Sequence, residues 1–388
     1  MMSLLLAVIW SGVVMVGLAA SATFERRTRL ASQSDRPDLM PPRATWGSGR
    51  EYPPSRALTA RALAGLARLI RRRPIVADHQ RVLRGAARLL GTGSLVLGIA
   101  MLPVIGTWAS AQDAPIVPLD PANGLSVLGI LLLLVAFARV AVGLSERSPW
   151  SRAGSARQAS RSIVGVALLA IVFAPLAIDA GSLRLHEIVA DQQRPIIPLA
   201  WLGSQLGGEW ATALQAWPLP AWNLFVQPIT ALLFAPAMAL WTSVPRVDDP
   251  SSGSIGLAGL GLDADPTDLY WSGLDARLSN VLAAGLFVTL FLGAGAIPFV
   301  DPQHLVDYAA PYFGEGLPQL AVTGLYLGTF VIKLVAVLAV ADRLGRIAAT
   351  TRDDRALRLA TRRLMPIAWA NLLLVAAITL WLENAGAF

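Results

Sequence analysis

The 388-residue sequence reads as an all-α integral membrane protein, with eight transmembrane helices and an amphipathic helix on the membrane surface after the first. Three observations carry that reading. The chain is 55% hydrophobic and only 15% charged, with a mean hydropathy of +0.56, whereas about a quarter of the residues of a soluble globular protein are charged. Its apolar residues gather in stretches close to the roughly 20 residues that a helix needs to cross a hydrocarbon core. Arginine is concentrated in alternate segments between those stretches. A water-soluble enzyme or a nucleic-acid-binding protein does not fit this profile, despite a pI of 10.6. The lack of cysteine rules out disulfides, iron–sulfur clusters and thiolate zinc sites. His79, His186 and His304 lie too far apart in sequence to suggest an imidazole metal or haem site.

One membrane domain is expected over residues 1–388, and its elements follow in order. Residues 1–23 form the first crossing. A signal peptide is the alternative, because Ala20-Ser21-Ala22 looks like a cleavage site, but no basic residue precedes the apolar run. Residues 24–84 form a loop with 14 arginines. Within it, Leu58, Ala62, Leu66, Leu69 and Ile70 share one face of a helical turn pattern at 57–71, with Arg61, Arg68 and Arg71 opposite. Such a helix lies in the membrane interface. The remaining crossings are expected at 85–108, 122–144, 160–180, 222–244, 274–298, 317–341 and 364–381. The segment 181–221, rich in Trp, Pro and Gly, reads as an ordered loop, and 245–273 as an acidic connection.

Charge gives the orientation. The first, third, fifth and seventh connecting segments hold 14, 4, 2 and 7 arginines, helix ends included, while the others hold only Arg184 and Arg194. By the positive-inside rule the arginine-rich segments are cytoplasmic and both termini lie outside the cytoplasmic membrane. Their counter-charges there are anionic lipid headgroups and acidic faces of partner subunits.

Inside the crossings, ionisable residues are few. Arg139 falls in the third and Lys333, the one lysine of the chain, in the seventh; Arg88, Asp179 and Glu383 stand near ends. A central Arg or Lys costs roughly 2.5 to 3.5 kcal/mol on insertion scales, so each should face protein or water. Two readings stay open for both: part of a polar path, or a charge that pairs helices or snorkels to the interface. No Asp or Glu is expected deep within a crossing, so no row of titrating groups suggests itself. The triplet Asp263, Asp265 and Asp268 is interrupted by Pro266 and lacks the closing Glu of a calcium loop. GLAGLG at 256–261 lacks the strand that a nucleotide-binding turn follows.

In order and spacing these features resemble the H subunit of the proton-pumping NADH:quinone oxidoreductase, respiratory complex I, and its relatives in membrane-bound hydrogenases. FERRTRLASQSDRP (Phe24 to Pro37) is similar to that family's E-R-K/R and A-x-x-Q-x-R-x-G-P segment. SPWSRAGSAR (Ser148 to Arg157) is similar to S-K-Y-S-x-x-G-S/A-x-R, and GSLRLHEIV (Gly181 to Val189) to G-S-L-x-L-x-x-I-V. LFLGAGAIP (Leu290 to Pro298) resembles T-L-F-L-G-G, and FVIKLVAVLAVADRLGR (Phe330 to Arg346) the F-x-K helix leading to an arginine-rich turn. The resemblance implies a membrane-arm subunit that anchors a peripheral redox module beside a quinone site. Arg26, Gln33, Arg36 and Arg157 would then stand at the quinone-chamber entrance, with Lys333 and Arg139 as interior polar residues. No cofactor would sit in this chain, and quinone would be a substrate shared with partner subunits.

The departures from the family pattern lie at its carboxylates. Where the family's fifth crossing ends A-E-x-x-R-x-P-F-D, this chain has Leu240 at the carboxylate and Ser243 at the arginine, with Pro245 kept. The fourth crossing's glutamate falls near Val166, and the E-Y pair before the sixth has at best Asp268 and Tyr270. Leu and Val carry no proton. A non-catalytic scaffold in such a complex is therefore a rival reading, and a stand-alone transporter a third, although no internal repeat supports the latter.

Overall fold

A computed structural model describes residues 14–20, 78–104, 118–145, 149–192, 221–242, 266–297, 316–348 and 353–384. Among them the regular elements are all helical. We number these α1 (14–20), α2 (Asp78–Ala100), α3 (Gly124–Leu144), α4 (Pro149–Asp179), α5 (Leu185–Asp191), α6 (Asn223–Val226), α7 (Pro228–Thr242), α8 (Pro266–Phe291), α9 (Gly316–Ala348), α10 (Asp353–Leu359) and α11 (Met365–Asn384). A π-helical turn, Ala360–Leu364, joins α10 to α11. Six helices among the described residues are long and apolar enough to span a bilayer, and α7 is a shorter apolar one. The first expected crossing is described only over 14–20, and the surface helix at 57–71 lies outside the described residues.

The successive helices α2, α3 and α4 run antiparallel, and polar contacts tie their ends. At one end, Arg84 near the start of α2 donates from Nε to Ser145 Oγ just past α3 (3.1 Å). At the other, the Leu125 N–H of α3 donates to Leu183 O beyond α4 (2.9 Å), and His186 Nδ1 lies 2.9 Å from Asp120 Oδ2. Helix α4 packs against α3, α7 and α11, and α8 against α2, α7 and α9. At the centre, Phe234 of α7 meets Phe173 of α4 and Phe287 and Phe291 of α8, with ring centroids 5.3–6.4 Å apart. Gly165 lets α4 approach α7 closely, since a Cβ there would stand 3.0 Å from the Trp241 backbone nitrogen. Outward faces carry exposed Leu232, Ile332 and Leu373, which suits lipid rather than water.

Several element boundaries differ from the expectation. Helix α2 already runs from Asp78 and stops at Ala100 rather than at 108, ahead of Pro103, which disfavours helix at the residue before it. Helix α8 takes in 266–273, expected as part of the acidic connection, and α9 runs on to Ala348. Three further differences have a local reason. The stretch 222–244 is not one helix: α6 stops after four residues and α7 restarts at Pro228. Proline pushes the preceding residue out of the α region, and Gln227 takes φ −127°, ψ 60°. The stretch 274–298 is helical only to Phe291, after which Gly293 (φ 64°) and Ala294 (φ 51°) turn the chain left-handed. Helix α4 begins at Pro149, well before residue 160, with a residue suited to the first helical turn. Its 31 residues extend about 46 Å, so its N-terminal turns, with Arg152 and Arg157, reach past the apolar core.

Candidate functional site

Helices α3, α7 and α8 converge on Arg139. The apolar run of α3 carries this arginine one turn before its end, where a guanidinium with five donors must find acceptors. Its Nε donates to Asp275 Oδ2 of α8 (2.7 Å) and its Nη1 to the Trp241 carbonyl of α7 (2.8 Å). Nη2 donates to Ser279 Oγ, and Ser279 in turn donates to the Asp275 carbonyl (2.6 Å). The Trp241 ring covers the guanidinium with its centroid 4.9 Å away, and its Nε1 donates back to Leu132 O of α3 (3.0 Å). Side-chain exposures of 11% and 16% for Arg139 and Asp275 mark this as an interior ion pair.

Asp275 is the residue that sequence reading missed. It stands at the edge of an expected crossing, where a carboxylate passes for an interfacial one. The available signal was the Asp275/Ser279 spacing, which puts both on one helical face.

A second cation sits near the other end of α8. Lys333 of α9 donates from Nζ to the carbonyls of Leu292 (2.7 Å), Ala294 (3.0 Å) and Ala296 (2.7 Å). The Trp222 ring centroid is 4.4 Å from the same nitrogen. Arg139 and Lys333 do not form one centre. Their contacts, Asp275 on α8 and Leu292 just past its end, are 17 positions apart, about 25 Å along a helix.

A buried hydrogen-bond chain links α4, α7 and α11. Asn371 Nδ2 donates to Thr230 Oγ1 (2.8 Å), Thr230 to Gln227 Oε1 (3.1 Å), and Gln227 Nε2 to Asp179 Oδ2 (3.0 Å). The backbone break at Gln227 is what aims this side chain along the chain of donors.

Of the quinone-chamber candidates, Arg26, Gln33 and Arg36 lie outside the described residues. Arg157 stands on the N-terminal part of α4, its Nε 3.4 Å from Ala153 O. At the positions of the family's missing carboxylates, Leu240 is buried and Val166 packs against the apolar core. Among the described residues no group of three or more metal-ligating side chains comes together.

Long helices, apolar outside and with an arginine–aspartate pair inside, define a polytopic helical membrane protein. A family model described as NADH dehydrogenase (NADHdh) matches residues 56–376. The chain belongs to that family. Two relatives each carry the name of the H subunit of NADH-quinone oxidoreductase. The protein of Thermomicrobium roseum is 24% identical over 372 residues, covering 95% of this chain and 93% of its own. That of Bdellovibrio bacteriovorus is 24% identical over 258 residues, covering 65% of this chain, which spans 63% of that relative. In fold, the chain is similar to a chain of the membrane-bound sulfane sulfur reductase, an archaeal respiratory membrane complex. The TM-score is 0.61 at 15% identity, with 95% of this chain and 99% of the other covered. The protein is thus a membrane component similar to the H subunit of NADH-quinone oxidoreductase.

Proposed function

We propose that this chain is a membrane-arm subunit of a complex I-like, quinone-reducing assembly in the cytoplasmic membrane, where it anchors a peripheral redox module. The observation that carries this reading is the family match over most of the chain. Electron transfer belongs to partner subunits in this reading, and quinone is the shared substrate. The arginine-rich segments face the cytoplasm, where the redox module and anionic headgroups meet them, and both termini face outward. Arg26, Gln33, Arg36 and Arg157 line the entrance to the quinone chamber.

The interior supports a particular version of this role. Proton relays need groups that can change charge, and here Leu240 and Val166 occupy the places where the resembled family has carboxylates. Each nitrogen of the Arg139 guanidinium donates, to Asp275, Trp241 and Ser279, an arrangement that holds helices together. The chain in this reading serves as an anchor with a proton channel that is degenerate at these positions; a pure scaffold, with proton translocation through another subunit, is the alternative that the missing carboxylates favour. The membrane subunit of a hydrogenase-type complex is the second reading; the fold shared with a chain of the sulfane sulfur reductase complex, another respiratory membrane complex, shows that this fold is not confined to NADH-quinone oxidoreductases.

Purification of the assembly through a tag on this chain, followed by mass spectrometry, tests the reading. Flavin and iron–sulfur proteins in the eluate are the expected result, and a lone monomer in mild detergent overturns it. Within that assembly, Arg36→Ala and Arg157→Ala should lower quinone-dependent turnover. Unchanged turnover in both removes these residues from the chamber.

A further inference from the structure

The interruption after α8 is built in a way that anchoring alone does not require. The helix stops at Phe291, and the left-handed turn at Gly293 and Ala294 leads into a loop whose alternate carbonyls, Leu292, Ala294 and Ala296, point at one spot. Other side chains fix this loop independently of Lys333. Gln192 accepts from the Gly293 N–H (2.9 Å) and donates to Thr289 O (3.0 Å), while Asn223 donates to Leu290 O (2.8 Å). Gly295 is wedged so tightly that a Cβ would stand 2.6 Å from Tyr326 O and 2.8 Å from Val104 O. The cradle is thus shaped by α5, α6, α9 and the turn after α2.

What fills it is chosen by its chemistry. Three carbonyl oxygens gathered at a helix C-terminus carry partial negative charge, and the Trp222 face adds a fourth attractive surface. Carbonyl rings of this kind replace the hydration shell of a small monovalent cation. Three acceptors also use all three N–H groups of an ammonium, whereas a neutral amine has two. We propose that the break after α8 is a monovalent-cation site whose resident cation is the Lys333 ammonium. Shortening Lys333 then opens the site to a free primary alkylammonium. Such a site would exist whether or not the chain serves in a respiratory complex.

Two experiments on the purified assembly test it. Lys333 is the one lysine of the chain, so reductive methylation reads it directly by mass spectrometry, with lysines of co-purified proteins as controls. It stays unmodified in the native state and reacts after denaturation; modification of the native protein at the rate of an exposed lysine overturns the proposal. In Lys333→Ala, which deletes the equivalent of n-propylammonium, amide exchange over 288–297 should accelerate by about tenfold or more as the loop opens. Millimolar n-propylammonium should restore the slow exchange and n-propanol should not. Wild-type protection in the variant, or equal rescue by the alcohol, overturns the cation site. Where Lys333→Ala does not assemble, the methylation result decides alone.

Discussion

Arg139 shows how this interior carries charge. Its planar fork sends donors from three separate nitrogens to a carboxylate, a hydroxyl and a carbonyl on two other helices, a spread that the single nitrogen of a lysine does not offer. Removing one partner strands the other. Arg139→Leu should therefore destabilise the protein by about 3 to 5 kcal/mol, since Asp275 is left buried without a counter-charge. The double variant Arg139→Leu/Asp275→Leu should recover much of that loss. Thermal unfolding of the purified protein in detergent checks both, and a double variant as unstable as the summed single variants would refute the pairing argument. Both interior cations were legible in the sequence because a lone Arg or Lys stands out against an apolar run. Their partners were not. Asp275 is 136 positions from Arg139, and the carbonyls at Lys333 leave no trace in side-chain identity.

At the scale of the helix, interruptions do as much as continuous spans. Hydropathy revealed the apolar stretches but not that two of them contain breaks, because carbonyl orientation depends on backbone turns rather than on composition. Pro228 was visible in the sequence; the turn at Ala294 was not, since alanine rarely adopts a positive φ. Close packing gives a test. Gly165→Val should cost about 1 to 3 kcal/mol by forcing α4 away from the Trp241 backbone, read as a lower unfolding temperature. Asn371→Leu removes the donor to Thr230 and should cost about 1 kcal/mol by the same measurement. The short helix α5 supplies a pH test. The Ser182 hydrogen bond and neighbouring Arg184 hold the Glu187 carboxyl below its usual range. The linked stabilisation is complete above the ordinary carboxylate pKa and is lost as pH falls through the lowered folded value. Amide exchange over Leu185–Asp191 should accelerate across that acid window in the wild type but not in Glu187→Gln.

For the whole molecule, the arginine distribution and the described contacts agree on an antiparallel layout. Arg84 meets Ser145 at one end, and Leu125 meets Leu183 at the other. Reporter fusions at Gly47 and Thr351 should both report a cytoplasmic location; an exterior signal from either overturns the orientation. Family membership was legible as an ordered set of short motifs, each weak alone, whereas the interior wiring required three dimensions.

The break before α7 bears on how the chain is made. The described part of α7, Pro228–Thr242, extends about 22 Å, and the break at Gln227 separates it from the turn of α6 before it, whereas a lone continuous segment bridges roughly 30 Å of hydrocarbon. Its Pro236, its buried Thr230 and the neighbouring Gln227 further weaken independent partitioning from the translocon. Biogenesis should therefore hold α7 at the lateral gate until α4 is already seated and α8 has emerged from the ribosome, so that this part of the protein enters the lipid as a group.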